Sequence, residues 1–349
     1  MRKILVLITL AITITSCGII VNLTDSKNSE GQFVESEISV QANDYFWDQF
    51  HQGNYENIPE IISKLNIALA DNPYDLVTTA HLGFAHIWAL AERQRLDEPQ
   101  ANITEHLILA RRYFEEAVKM SPHDPRLIGF LADMSLAEGG LLQDQRIVVE
   151  GYFKGLESIR MWPQFNKFTI GYAFSTLDTA DNNFNKAIKW QYETLDDCAC
   201  EKVDLDSDYL SVVDKIKNST DRKISRACWN SWIAPHNWEG FCLNFGDMLT
   251  KKGNIKEAAK IYNLARLSDD FDNWPFKNVL EKRIVDIREN FIHFNQTLDE
   301  RNLKSQSVML FSSENACGCC HTMGPQDQIK YQNFERLGKD YYFLQKKTF

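Results

Sequence analysis

The chain has 349 residues, 44 % hydrophobic and 25 % charged, which is ordinary for a folded protein and long enough to bury a sizeable core. Its formal net charge of −10, with no run of five basic residues, argues against a nucleic-acid partner. No G-x-S-x-G, H-E-x-x-H or Walker phosphate loop occurs, so no familiar catalytic constellation points to an enzyme.

Arg2 and Lys3 precede an apolar run, Ile4 to Ile14, interrupted only by threonine, and then comes Ile14-Thr15-Ser16-Cys17-Gly18. A basic start, an apolar stretch and small residues before a cysteine resemble the signal peptide and lipobox of bacterial lipoproteins. The resemblance implies that residues 1–16 are a signal peptide, that the Cys17 thiol carries a diacylglycerol, and that the mature chain is a bacterial membrane lipoprotein. Gly18, rather than an aspartate, follows the cysteine, which resembles an outer-membrane sorting signal and places the protein facing the periplasm. An ordinary signal peptide, or an uncleaved anchor from Ile4 to Leu23, are the alternatives. Residues 17–43 read as a tether, because Thr24 to Asn43 is dominated by Ser, Glu, Asp, Asn and Gly.

A helical body is expected over residues 44–299. It opens on the aromatic cluster Tyr45-Phe46-Trp47, which would cap the first helix pair. Ile61 to Asn72-Pro73 gives one helical stretch. Leu82-Gly83 then begins a helix running through Trp88, and after a charged insert, Ala91 to Glu105, the residues Ala110, Phe114, Ala117 and Pro122 follow at helical spacing. A third unit runs from Ile128-Gly129 past Tyr152 to Trp162-Pro163, and a fourth from Ile170-Gly171 through Phe174 to Ala187 and Trp190. The clearest unit is Cys242 to Arg266. Phe245, Gly246 and Leu249 share one face, Gly253-Asn254 breaks the helix, and Ala258, Tyr262 and Ala265 continue it. This pattern resembles the tetratricopeptide repeat (TPR), with Cys242 where that family usually has Trp. The resemblance implies an all-α, right-handed solenoid of helical hairpins with irregular, padded repeats, which binds a protein partner on its concave face.

Between the last two units lie Cys198, Cys200 and Cys228, a polar stretch Asp204 to Asp221 read as a loop, and Trp229, Trp232 and Trp238. In an exported chain disulfides are the default, so Cys228 is expected to pair with Cys198 or with Cys200. The spacing suits no zinc ribbon or finger, and Cys242 reads as a buried core thiol. The acidic pairs Asp196-Asp197 and Asp269-Asp270 are expected to be solvated. From Pro275 onward, Phe276, Leu280, Ile284, Ile287, Phe291 and Phe294 form one apolar stripe, read as a long closing helix. His51, His81, His86, His106 and His123 are scattered and read as structural.

Residues 300–349 are a Cys-rich tail. Cys317-Gly318-Cys319-Cys320-His321 matches C-x-x-C-H, which resembles the haem-attachment site of c-type cytochromes. That resemblance implies haem c bonded to Cys317 and Cys320, with His321 on the iron and Met309, His293 or His236 as the distal candidates. Cys319 interrupts the pattern and offers disulfides instead. Two alternatives therefore stand beside a lipid-anchored scaffold for a partner protein. One is a haem-bearing electron carrier or redox accessory protein. The other is an accessory lipoprotein of a solute transporter.

Overall fold

The computed structural model describes residues 36–96, 101–204, 209–229, 237–296 and 306–324. Cys17, the rest of the lipobox, Trp232, His236 and Tyr341 to Phe343 lie outside the described residues. Every regular element among the described residues is a helix, so the chain is all-α.

The helices begin where the sequence supplies side-chain acceptors. Ser36 caps α1 (Glu37–Gln52) in a capping box with Ser39. Asp75 caps α3 (Leu76–Ala91) by accepting from the Thr78 amide, following α2 (Ile58–Asp71). Asp124 and Asp144 cap α5 (Pro125–Leu142) and α6 (Gln145–Met161), and Asp181 caps α8 (Asn182–Ala199). Each such cap contributes about 1 kcal/mol. Three helices of this series start without a side-chain cap: α4 (Ile103–Met120), and α2 and α7 (Pro163–Ala173), which have proline in their first turn.

Consecutive helices pack against each other from α1 to α8, and α1 also touches α3, as α5 touches α7. Two close approaches explain why the small residues stand where they do. A Cβ on Gly83 would come within 2.7 Å of the Phe114 ring, and one on Gly246 within 2.2 Å of the Tyr262 ring. In both pairs the backbone of one helix lies directly on an aromatic ring of the next, and Phe114 and Tyr262 are fully buried. The second pair is α11 (Trp238–Lys252) with α12 (Ile255–Leu264).

Four expectations need correction. The helical body begins at Glu37 rather than 44. The stretch read as a loop holds α9 (Tyr209–Lys217), because Val212, Val213 and Ile216 make a buried apolar face within its polar sequence; α10 (Arg222–Ala227) follows it. The closing helix is two helices, α13 (Lys277–Val285) and α14 (Ile287–Asn295), parted at Asp286. Leu280 and Phe294 of the apolar stripe are buried, whereas Phe291 is exposed and Val285 beside the break is 82 % exposed. Of the acidic pairs, Asp269 is exposed as expected, whereas Asp196 and Asp197 at the end of α8 are half-buried. Asp197 binds Lys167 at 2.7 Å, and Asp269 meets Lys217.

Cys198 forms a disulfide with Cys228, tying the end of α8 to the end of α10. Cys200, the other candidate partner, caps α8 in a left-handed conformation and is an exposed free thiol, while Cys242 is buried in α11.

Candidate functional site

The tail returns to the helical body. Cys317 precedes the single helical turn α15 (Gly318–His321), which packs on α1 and α11. The tail is held by residues of four helices, α1, α3, α7 and α11. Leu310 donates its amide to Asp247 of α11 at 2.7 Å. Phe311 packs on Tyr172 of α7 with ring centroids 4.8 Å apart, and the Tyr172 hydroxyl donates to the Ala316 carbonyl. Met323 donates its amide to the His51 carbonyl of α1 at 2.8 Å. The α3 contribution is Glu92, which caps that helix.

Glu92 is fully buried. One carboxylate oxygen accepts from the amides of Cys317 and Gly318 at 2.9 and 2.6 Å, and the other from the Trp88 indole at 3.0 Å. Arg95 pairs with it at 3.0 Å and also donates to the Glu314 carbonyl and the Asn315 side chain. Burial raises the Glu92 pKa, and the Arg95 charge with the converging N–H donors opposes that rise.

The far side of the turn is held by Asn237 and Trp274. The Asn237 amide donates to the Cys320 carbonyl, and its side chain donates to the Cys319 carbonyl at 3.2 Å while accepting from Gly240. The Trp274 indole gives Cys319 a second donor at 3.0 Å. Cys320 fits a notch that only glycine leaves open: a Cβ on Gly240 would lie 2.5 Å from the Cys320 sulfur. The His321 ring lies 4.7 Å from the Phe50 ring.

These surroundings make the thiols poor nucleophiles. Burial and then the Glu92 carboxylate push Cys317 and Cys319 well above the usual thiol range, and burial with the neighbouring cysteines does the same to Cys320. Reactive thiols have the opposite environment, electropositive and partly exposed. Burial, followed by the nearby His51, lowers the His321 pKa to about 3, so its imidazole is neutral at pH 7.

Cys317, Cys320 and His321 are thus brought together, but as packed they do not fit a haem. A haem needs both thiols at its edge and an open face beside the imidazole. Here Cys320 is pressed into the Gly240 notch, His321 lies against Phe50, and the intervening peptide groups are committed to Glu92, Asn237 and Trp274. Of the distal candidates, Met309 is buried before the turn at Leu310, and His293 lies 3.7 Å from Glu289. Among the described residues no group of three or more His, Cys, Asp or Glu has the arrangement of a metal site.

The sequence motif located the tail's chemistry but not its hosts. Glu92, Asn237 and Trp274 carry no motif. The only available signal was a lone glutamate ending an otherwise apolar helix, which does not specify what it will bind. No family model, no curated protein and no solved structure matches the chain.

Proposed function

We propose that the chain is a lipid-anchored, TPR-like solenoid facing the periplasm from a bacterial outer membrane, where it binds or organises a partner protein. The observation that carries this reading is the recurrence of one seam, glycine against an aromatic ring, in separate helix pairs: Gly83 on Phe114 and Gly246 on Tyr262. Stacked pairs of this kind expose long side-chain surfaces without requiring a catalytic pocket. The lipobox at Cys17 supports anchoring, and the absence of a catalytic motif in the sequence supports binding over chemistry.

The test is made on protein expressed in its own host. Wild type should take up a labelled fatty acid, and Cys17→Ser should not. Chemical cross-linking before extraction should give one adduct of fixed mass from wild-type membranes. A wild-type chain without label or adduct would end this reading. A tryptic peptide across Cys317–His321 carrying the mass of haem would replace it with the electron-carrier reading.

A further inference from the structure

The partner-binding reading leaves open which surface does the binding. The face made by the first helices of the pairs is partly covered: α1, α3, α7 and α11 all contribute contacts to the chain's own tail, through His51, Glu92, Tyr172 and Asp247. The second helices are different. Between α6 and α8 lies a cleft of about 590 Å³ with an apolar floor that includes Phe153, Leu156, Ile159 and Trp190. Phe153 is 63 % exposed, and Val149, one turn earlier on α6, is also exposed. A single exposed apolar residue needs no cover, but contiguous apolar surface rimmed by polar groups marks interaction sites, and Val149 and Phe153 adjoin the cleft floor.

The charges along the cleft favour one kind of cover. Lys154 and Glu150 pair with each other at 3.7 Å. Glu157, Arg160 and Lys186 also line it, and among the described residues neither Arg160 nor Lys186 has a carboxylate within ion-pair distance. Lys186 is nevertheless held in place. It donates to the Tyr152 hydroxyl at 2.6 Å, and its ammonium stands 5.0 Å from the centroids of both Tyr152 and Trp190. Glu157 likewise has no cation within ion-pair distance among the described residues. The rim thus carries three cations against two carboxylates, a net of +1 around an apolar floor in a chain of net charge −10.

Resting on the partner-binding reading, we propose that the α6–α8 cleft is the docking surface for an acidic amphipathic helix of the partner protein. Its apolar stripe would lie over Phe153 and Trp190, and its carboxylates would meet Arg160 and Lys186. This is helix-in-groove recognition, with the apolar anchors supplying most of the affinity and the charges fixing orientation.

The experiment places the photo-reactive residue benzoylphenylalanine at Val149 in the full-length, membrane-anchored chain, in its own host. A second version carries it at Phe311, on the tail side. The adduct at 149 should be a peptide from another protein with apolar residues at helical spacing and acidic residues beside them. Phe153→Ser, and separately Arg160→Glu with Lys186→Glu, should each lower its yield about tenfold, the size of an interface hot-spot loss. Circular dichroism should show both variants folded as the wild type is.

An adduct that is basic or indifferent to these substitutions overturns the proposal. So does an adduct with lipid, with a second copy of this chain or with its own residues 325–349, and so does no adduct at 149. If only the probe at Phe311 captures a partner, the cleft assignment falls and partner binding stands. If neither probe captures one, both fall.

Discussion

The α11–α12 hairpin closes on itself: Trp238 reaches the Leu264 carbonyl across 26 positions, and Gly246 receives the Tyr262 ring. The docked tail does the reverse, since the Cys317 amide finds its acceptor in Glu92, 225 positions earlier. The hairpin spends its small residues on helix contact, and most of its energy is apolar burial. The tail buries few large side chains and is fastened by hydrogen bonds to peptide groups that would otherwise be desolvated and unpaired. Asp247 joins the two regions. It is fully buried, accepts from Tyr262 inside the hairpin and from the Leu310 amide of the tail, and pairs with Arg283 at 3.0 Å.

The difference between the regions is sharpest at Glu92. Glu92→Ala strands the Trp88 indole and two tail amides, and leaves Arg95 only its bonds to the Gly53 and Glu314 carbonyls and the Asn315 side chain. It is expected to cost about 3 kcal/mol, the lower end for removing one partner of a buried ion pair. The tail should loosen before the hairpin does. Urea unfolding should show the lost stability, and Cys319 and Cys320 should react with a thiol reagent at urea concentrations where Cys242 stays protected. Equal labelling of all three would mean that tail and hairpin unfold as one unit.

Gly246→Ala probes the other region. The new methyl gains about 1 kcal/mol of helix propensity but meets the Tyr262 ring, and overpacking of this kind costs about 1–3 kcal/mol. A net loss of up to about 2 kcal/mol is expected in a thermal melt, with thiol labelling of the tail rising little. A variant as stable as wild type would show that the ring has room to move and that the glycine is not required by the seam.

A third effect concerns pH. His81 of α3 is buried, 2.6 Å from the Asn43 side chain and stacked on Phe46, and burial lowers its pKa to about 3. A lowered pKa means that the unfolded state binds the proton first. The contribution of neutral His81 is therefore complete above pH 6.5, and it declines as pH falls toward 3. By pH 5 the decline amounts to about 2 kcal/mol. Glu92 and Asp247, raised by burial, act in the opposite sense, so the comparison must be with His81→Gln rather than with wild type alone. Melting temperatures at pH 7 and pH 5 should differ less in the variant. Equal shifts would remove His81 from the acid response.

Much of the helical body could be read directly from the chain. The aspartates before α3, α5, α6 and α8 act within three residues of themselves, and the Gly-aromatic seams join neighbouring helices at short separation. Such contacts recur with the helical period, so residue spacing alone reveals them. The break at Asp286 was hidden because the apolar stripe continues across it, and α9 was hidden by the polar residues around its short buried face.

The sequence by itself determined that the chain is helical, that Gly246 and Tyr262 belong to one helix pair, and that three cysteines and a histidine stand together near its end. The starts at Leu76, Pro125 and Pro163 lie ahead of the Leu-Gly and Ile-Gly pairs that mark those helices in the sequence. Only the tertiary structure decided what becomes of that cluster. Its thiols have raised pKa values because of burial and the Glu92 carboxylate, and its peptide groups are satisfied by Asn237 and Trp274 from elements far away in the chain. The same decision fell on Cys228, which takes Cys198 and leaves Cys200 exposed. Helical periodicity is a local property carried by neighbouring residues. Desolvation and disulfide pairing depend on which distant surfaces the packed helices bring together, and no spacing rule encodes that.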